Sequence, residues 1–215
     1  MNNLTATLET LRARIPDHVL LVGVTKTVPP EIVDQALAAG LTTFGENKIQ
    51  EAKAKIPAVS SRARWHFIGH LQSNKARDAV ALFDLIHSVD SVKLAGELNK
   101  HAAAAGKTQR ILLEVNIAGE ASKFGLKPED VPAALDAINQ LPRLQVEGLM
   151  TVAPLTGDAR PHFRRLRELR DQLGLRELSM GMSHDFPVAI EEGATIVRIG
   201  SAIFGERKNR NEPTE

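Results

Sequence analysis

The amino-acid sequence predicts an α/β protein built as a single-domain (β/α)8 barrel, the TIM-barrel architecture. Three observations carry that expectation. Short apolar runs alternate with amphipathic stretches along the chain, and the alternation occurs eight times. Strands separated by helices pair in parallel through right-handed crossovers, and eight such units can close on themselves. The length of 215 residues lies close to the fold's lower limit of ~200, which implies short loops and no second domain. An open doubly wound sheet is the structural rival, but no Gly-rich dinucleotide fingerprint supports it.

The first helix is expected over residues 2–14, where Leu4, Leu8, Leu11 and Ile15 recur at helical spacing. Residues 18–25 form a nearly continuous Val/Leu run, the pattern of a strand buried on both faces. Pro29 and Pro30 open a helix at 31–39, and Gly40 ends it. Strand and helix then follow at 42–46 and 47–56, at 65–69 and 73–83, and at 85–89 and 91–105, where Gly106 closes an Ala-rich helix. Residues 110–116 are the fifth strand and 128–139 its helix, with Pro128 near the start. A strand at 146–152 precedes a charged helix at 158–173 ended by Gly174. A short strand at 177–180, a helix at 185–192, a last strand at 196–199 and a final turn at 202–204 complete the series. One domain is therefore expected over residues 1–207, with the polar tail 208–215 disordered.

Composition narrows the function. The 27 basic and 26 acidic residues nearly cancel, so no bulk attraction to nucleic acid or anionic lipid is expected. Cys is absent, which removes disulfides, thiolate nucleophiles and Cys-ligated zinc. No basic-then-apolar leader and no membrane-length apolar run is present, so a cytoplasmic location is expected.

A barrel builds its site at the C-terminal ends of its strands. Those positions carry Lys26, Glu46, Asn47, Gly69, His70, Ser88, Asp90, Asn116, Met150 and Thr151, then Ser183, His184, Asp185, Gly200 and Ser201. Lys26 ends an apolar run; partial desolvation would favour its free amine, which can condense with an aldehyde, or it can snorkel or pair with a carboxylate. Arg198 lies inside an apolar strand and needs an acceptor, from a ligand or from a barrel carboxylate such as Glu114. Gly200 and Ser201 open a helical turn, a place for an anion or for a plain cap. Ser183 can likewise cap or bind phosphate, and Asn47 can bond a ligand's ring oxygen or cap a helix. Adjacent Ser183, His184 and Asp185 do not form a hydrolase triad. His66 and His70 lack the pattern of a metal site. Lys123 is a rival lysine in a loop, and the arginines of 160–170 read as a solvated helix face.

Several segments together resemble the pyridoxal phosphate homeostasis proteins, the YggS/PROSC group. They are Val24-Thr-Lys-Thr, Phe44-Gly-Glu-Asn, Trp65-His-Phe-Ile-Gly-His-Leu-Gln-Ser-Asn-Lys, Ser122-Lys-Phe-Gly, Gly148-Leu-Met, Ser179-Met-Gly-Met-Ser-His-Asp and Val197-Arg-Ile-Gly-Ser-Ala-Ile-Phe-Gly. They run in the family's order over nearly the whole chain. The resemblance implies a barrel like the N-terminal domain of alanine racemase, with pyridoxal 5′-phosphate (PLP) held as a Schiff base on Lys26. It implies phosphate contacts from Ser183, Gly200 and Ser201, with Arg198 facing the pyridine nitrogen and Asn47 near the ring. His66 and Met150 complete the expected cofactor set, and no metal is expected.

The resemblance further implies a carrier, buffer or regulator of PLP in vitamin B6 homeostasis, without established catalysis. A monomer in transient contact with apo-enzymes is expected, with no nucleic-acid or membrane partner. Alanine racemases use a tyrosine as second base and carry a further β-rich domain; this sequence contains no Tyr at all. The alternatives are a PLP enzyme on a small amino acid with Lys26 as sole base, a phosphosugar barrel enzyme, and an interaction module using the basic helix.

Overall fold

Eight parallel strands close into a barrel in strict chain order. The structure, a computed structural model, describes residues 4–205. The domain end expected at 207 and the tail at 208–215 lie outside the described residues. The strands are β1 (Leu20–Val24), β2 (Thr43–Glu46), β3 (Arg64–Phe67), β4 (Leu85–Val89), β5 (Gln109–Glu114), β6 (Leu144–Met150), β7 (Glu177–Ser179) and β8 (Ile196–Ile199). Around them lie α1 (Leu4–Arg12), α2 (Pro30–Ala38), α3 (Ile49–Lys55), α4 (Ala76–Leu82), α5 (Val92–Ala104), α6 (Val131–Asn139), α7 (Arg160–Gln172), α8 (Phe186–Glu191) and α9 (Ser201–Phe204). The barrel closes where β1 pairs with β8, Leu20 opposite Ile196 and Gly23 opposite Ile199.

Every expected element is present, with shifted ends. The helices expected from 73 and from 128 begin as 3-10 turns, Ser73–Lys75 and Pro128–Asp130. The sixth strand starts two residues earlier than expected, and its cause is a bulge. Ile111 faces Val146 while Leu112 faces Gly148, so Glu147 is an extra residue in β6. The insertion resets the alternation, and Val146 and Leu149 both face the helices. Glu147 itself accepts a bidentate pair from Arg110, at 2.7 and 2.8 Å. A second irregularity lies between Ile86 and Val89 of β4, both packed outward, with His87 and Ser88 between them.

The strands carry two apolar layers, which is why they read as continuous runs. Outward side chains such as Phe44, Trp65, Phe67, Leu113 and Leu178 pack against the helices. Inward side chains Val22, Leu85, Leu112, Met150 and Ile196 form a separate plug inside the barrel. In α7, Phe163 and Leu166 are buried, while Arg160, Arg164 and Arg167 converge on Glu192 just beyond α8, at 3.0–3.2 Å. Arg160, Arg164 and Arg167 of the basic run are thus taken up in ion pairs. No helix among the described residues is long and apolar enough to cross a membrane.

Candidate functional site

β1 ends in a turn that exposes its chemistry on two sides. Thr25 turns its hydroxyl outward to Glu46 Oε1, at 2.6 Å. Lys26 follows, half-buried at the rim. Strand alternation assigns it the inner face, the side of Val22. The same alternation places Glu46 with outward-facing Phe44. Glu46 therefore lies behind the barrel wall, bonded to buried Lys55 at 2.6 Å, and not at the mouth where the strand ends had put it. Burial raises its carboxyl above the usual range, against hydrogen bonds from Lys55 and Thr25.

Inside the barrel, Arg198 anchors a chain of polar groups. It donates to Ser179 Oγ at 2.5 Å and to the Thr151 carbonyl at 2.9 Å. Ser179 Oγ lies 2.8 Å from His87 Nδ1, and His87 Nε2 lies 3.0 Å from His66 Nδ1. A guanidinium only donates. The assignment that leaves no buried proton without an acceptor runs one way: Arg198 to Ser179, Ser179 to His87 Nδ1, and His87 Nε2–H to His66. Both imidazoles are then neutral. Burial holds His66 down at about 4 and His87 well below its ordinary value. Arg198 is lowered by burial to about 10 and stays cationic at neutral pH.

Glu114 ends β5 beside this chain. Burial, reinforced by the Asp90 carboxylate and opposed by Arg198, raises its carboxyl to about 7. Its Oε2 is buried without a hydrogen-bond partner. Arg198 acts on it through charge, since the guanidinium's hydrogen bonds go to Ser179 and Thr151. Glu114 lines a cleft of about 220 Å³ with Asn116, Lys123 and Phe124. His70 stacks on Phe124, with ring centres 3.6 Å apart, and lies 3.4 Å from Asp90. Asn116 is occupied within its own loop, donating to the Glu120 and Lys123 carbonyls. Lys123 pairs with Glu120 at 2.7 Å.

Across the mouth, Ser183 Oγ accepts the backbone N–H groups of Gly200, at 3.3 Å, and Ala202, at 3.5 Å. The loop after β7 and the start of α9 are thereby brought together, with Ser201 exposed beside them. Gly181, at φ +92°, makes the preceding bend. Asp185 stands just before α8 and accepts the Met182 N–H at 2.6 Å, so its carboxylate ties down the loop. Asn47 Oδ1 is buried with no partner, an orphaned acceptor at the rim. A side chain on Gly69 would fall 2.3 Å from the Asn47 carbonyl oxygen. Gly69→Ala is therefore expected to displace Asn47 and to cost about 1–3 kcal/mol, read by denaturant unfolding.

Of the expected residues, Ser183, Gly200 and Ser201 meet, and Lys26 follows β1, the strand that pairs with Arg198's β8. His66 lies within the barrel bonded to His87, and Met150 lies in the interior plug. Sequence reasoning missed His87, Ser179 as a relay member, and Lys55. His87 had a signal: a titratable residue inside a strand with apolar residues on both sides of the His87–Ser88 pair. No cluster of potential metal ligands occurs among the described residues.

A closed (β/α)8 barrel with a lysine after β1 and an arginine within β8 defines the class. Residues 1–208 match the family described as alanine racemase, N-terminal domain. The chain is 48% identical to the pyridoxal phosphate homeostasis protein of Aquifex aeolicus over 198 residues, 87% of each. It is 40% identical to the human protein of that name, over 90% of this chain and 78% of that one. Among solved structures, PipY of Synechococcus elongatus with PLP bound superposes with a TM-score of 0.89 at 39% identity, over 94% of this chain and all of that one. Alanine racemase of Clostridium difficile shares the fold at 14% identity, with a TM-score of 0.81 over 98% of this chain and 58% of that one. The chain belongs to the alanine racemase N-terminal domain family, among its pyridoxal phosphate homeostasis proteins.

Proposed function

We propose that this chain binds PLP reversibly through Lys26 and serves intracellular vitamin B6 homeostasis as a carrier or buffer. The observation that supports it most is the likeness to PipY, solved with PLP, over the whole barrel. The residues present fit the group. Lys26 supplies an amine for the aldehyde, in a Schiff base. Arg198 has used two of its five N–H donors on Ser179 and Thr151, leaving others for a ring nitrogen. Ser183 keeps its hydroxyl proton to donate to a phosphate, beside Gly200 and Ser201. The unpartnered Asn47 Oδ1 and Glu114 Oε2 are polar atoms that a ligand could satisfy. His66 acts through His87 and Ser179 on Arg198, and Met150 supports the floor.

The reading includes a single domain over 1–207, a monomer in the cytoplasm, transient contact with apo-enzymes, and no catalytic role. An arginine facing the ring nitrogen leaves PLP a weak electron sink, which suits storage better than catalysis. Incubation with PLP, borohydride reduction and peptide mapping is expected to place the label on Lys26 and to lose it in Lys26→Ala. Label scattered over other lysines and unchanged in Lys26→Ala would refute the reading. One observation favours a catalytic alternative: Glu114 is an acid–base group at about 7 beside the cleft. Exchange of an amino acid's α-proton in deuterated water, above the rate of free PLP and lost in Glu114→Gln, would select it.

A further inference from the structure

α3 lies on the outer face of the barrel wall, behind the turn that carries Lys26. Its residues Glu51 and Lys55 are one helical turn apart and share a face. Lys55 Nζ donates to the Thr25 carbonyl oxygen at 2.5 Å. The Thr27 backbone N–H donates to Glu51 Oε1 at 2.5 Å. Those two groups belong to the two peptide planes that meet at the Lys26 Cα. Fixing both planes fixes φ and ψ of Lys26, and with them the direction of its Cβ.

The grip is itself braced. Lys55 also donates to Glu51 at 2.8 Å and to Glu46 at 2.6 Å. Thr27 stands at φ +64°, the one non-glycine in the left-handed region among the described residues. For a β-branched side chain that conformation is costly and persists only where the surroundings enforce it. A bridge that merely held α3 on the barrel would need neither the Thr27 N–H nor the strained turn.

We propose that Glu51 and Lys55 are positioning residues that grip the peptides on either side of Lys26 and so aim its amine into the barrel mouth. The proposal rests on the functional reading above. It makes Lys26 reactivity depend on two side chains that sit behind the barrel wall.

The probe is PLP with borohydride. The Lys26 amine adds to the aldehyde carbon and water leaves, forming a C=N bond. Borohydride delivers hydride to that carbon, solvent supplies the nitrogen proton, and a secondary amine remains. The rate of labelling at Lys26 is followed by peptide mapping, below the melting temperature of each variant.

Glu51→Ala keeps a good helix former in α3 and leaves Lys55 paired with Glu46. It is expected to slow Lys26 labelling about tenfold or more, as small misplacements of reacting groups do. Glu51→Gln retains an oxygen that can accept the Thr27 N–H and is expected to restore most of the rate. A Glu51→Ala rate equal to that of the native chain overturns the proposal, as does a Glu51→Gln rate no better than that of Glu51→Ala. No label on Lys26 in the native chain would overturn the functional reading and the grip with it. Normal native labelling with an unaffected Glu51→Ala overturns the grip alone.

Discussion

Glu114→Gln is expected to gain stability over the native chain as pH rises, by on the order of 3 kcal/mol between pH 4 and pH 8. The folded carboxyl titrates at about 7, against an ordinary value of 4.5. Between those values the folded chain holds a proton that the unfolded chain has lost, so native stability falls as pH rises. Above pH 7 the native carboxylate is ionised among Asp90 and apolar walls, and the neutral amide is not. His66 predicts the mirror image. Its folded value of about 4 lies below the ordinary 6.5, so the unfolded chain alone takes up a proton in that window. Its contribution is full above 6.5 and is lost as pH falls toward 4, again on the order of 3 kcal/mol. His66→Gln should therefore recover stability on acidification. In the native chain the two slopes oppose each other between pH 4.5 and 6.5, and His87 adds to the histidine side. Urea unfolding at a series of pH values checks all three profiles. A pH-independent difference between Glu114→Gln and the native chain would contradict the assigned environment of Glu114.

Gly148→Ala is expected to destabilise the barrel by about 3 kcal/mol or more, or to prevent folding. Its Cβ would lie 2.0 Å from the Glu177 carbonyl oxygen and 2.7 Å from the Glu177 Cα. Both atoms are backbone of the neighbouring strand, so no rotamer change relieves the clash. Two other glycines calibrate the result. At Gly23 the nearest atom is the tip of the Leu41 side chain, at 2.6 Å, which can rotate away. The cost there should be nearer ~1 kcal/mol. At Gly96, inside α5, nothing lies within 4 Å. Gly96→Ala should stabilise by about 0.5–1 kcal/mol, because alanine loses less backbone entropy in a helix. The order Gly148, Gly23, Gly96 in unfolding midpoints is the measurable outcome.

The barrel was legible because its strands are buried on both faces and its helices are bounded by proline and glycine. The site was legible in part. Reading only strand ends placed Glu46 at the mouth, yet parity with Phe44 turns it outward. Lys55, in an Ala-Lys-Ala-Lys run, was not singled out from the sequence. It lies three residues after Ala52 and six after Ile49, on the buried face of α3, so helical periodicity carried the signal. Lys53, two residues earlier, is on the exposed side with Asp78. The hydrogen bonds from Arg198 to His66 join β8, β7, β4 and β3, distant in sequence, and only the closed topology brings them together. The bulge at Glu147 shifted the sixth strand because an inserted residue erases the periodicity that locates a strand's ends.

The seam between β1 and β8 also bears on how the molecule comes into being. Parallel pairing of the first and last strands is among the most non-local contacts of the described residues, and contacts of that kind form late and slowly. Lys26 follows one side of the seam, while Arg198 and Ser201 belong to the other. A chain emerging from the ribosome can assemble its first half-barrel, but the opposing halves of the candidate site meet only when the final strand docks. Ligand occupancy would therefore report a closed barrel, and a bound ligand bridging the seam would hold shut the joint that closes last.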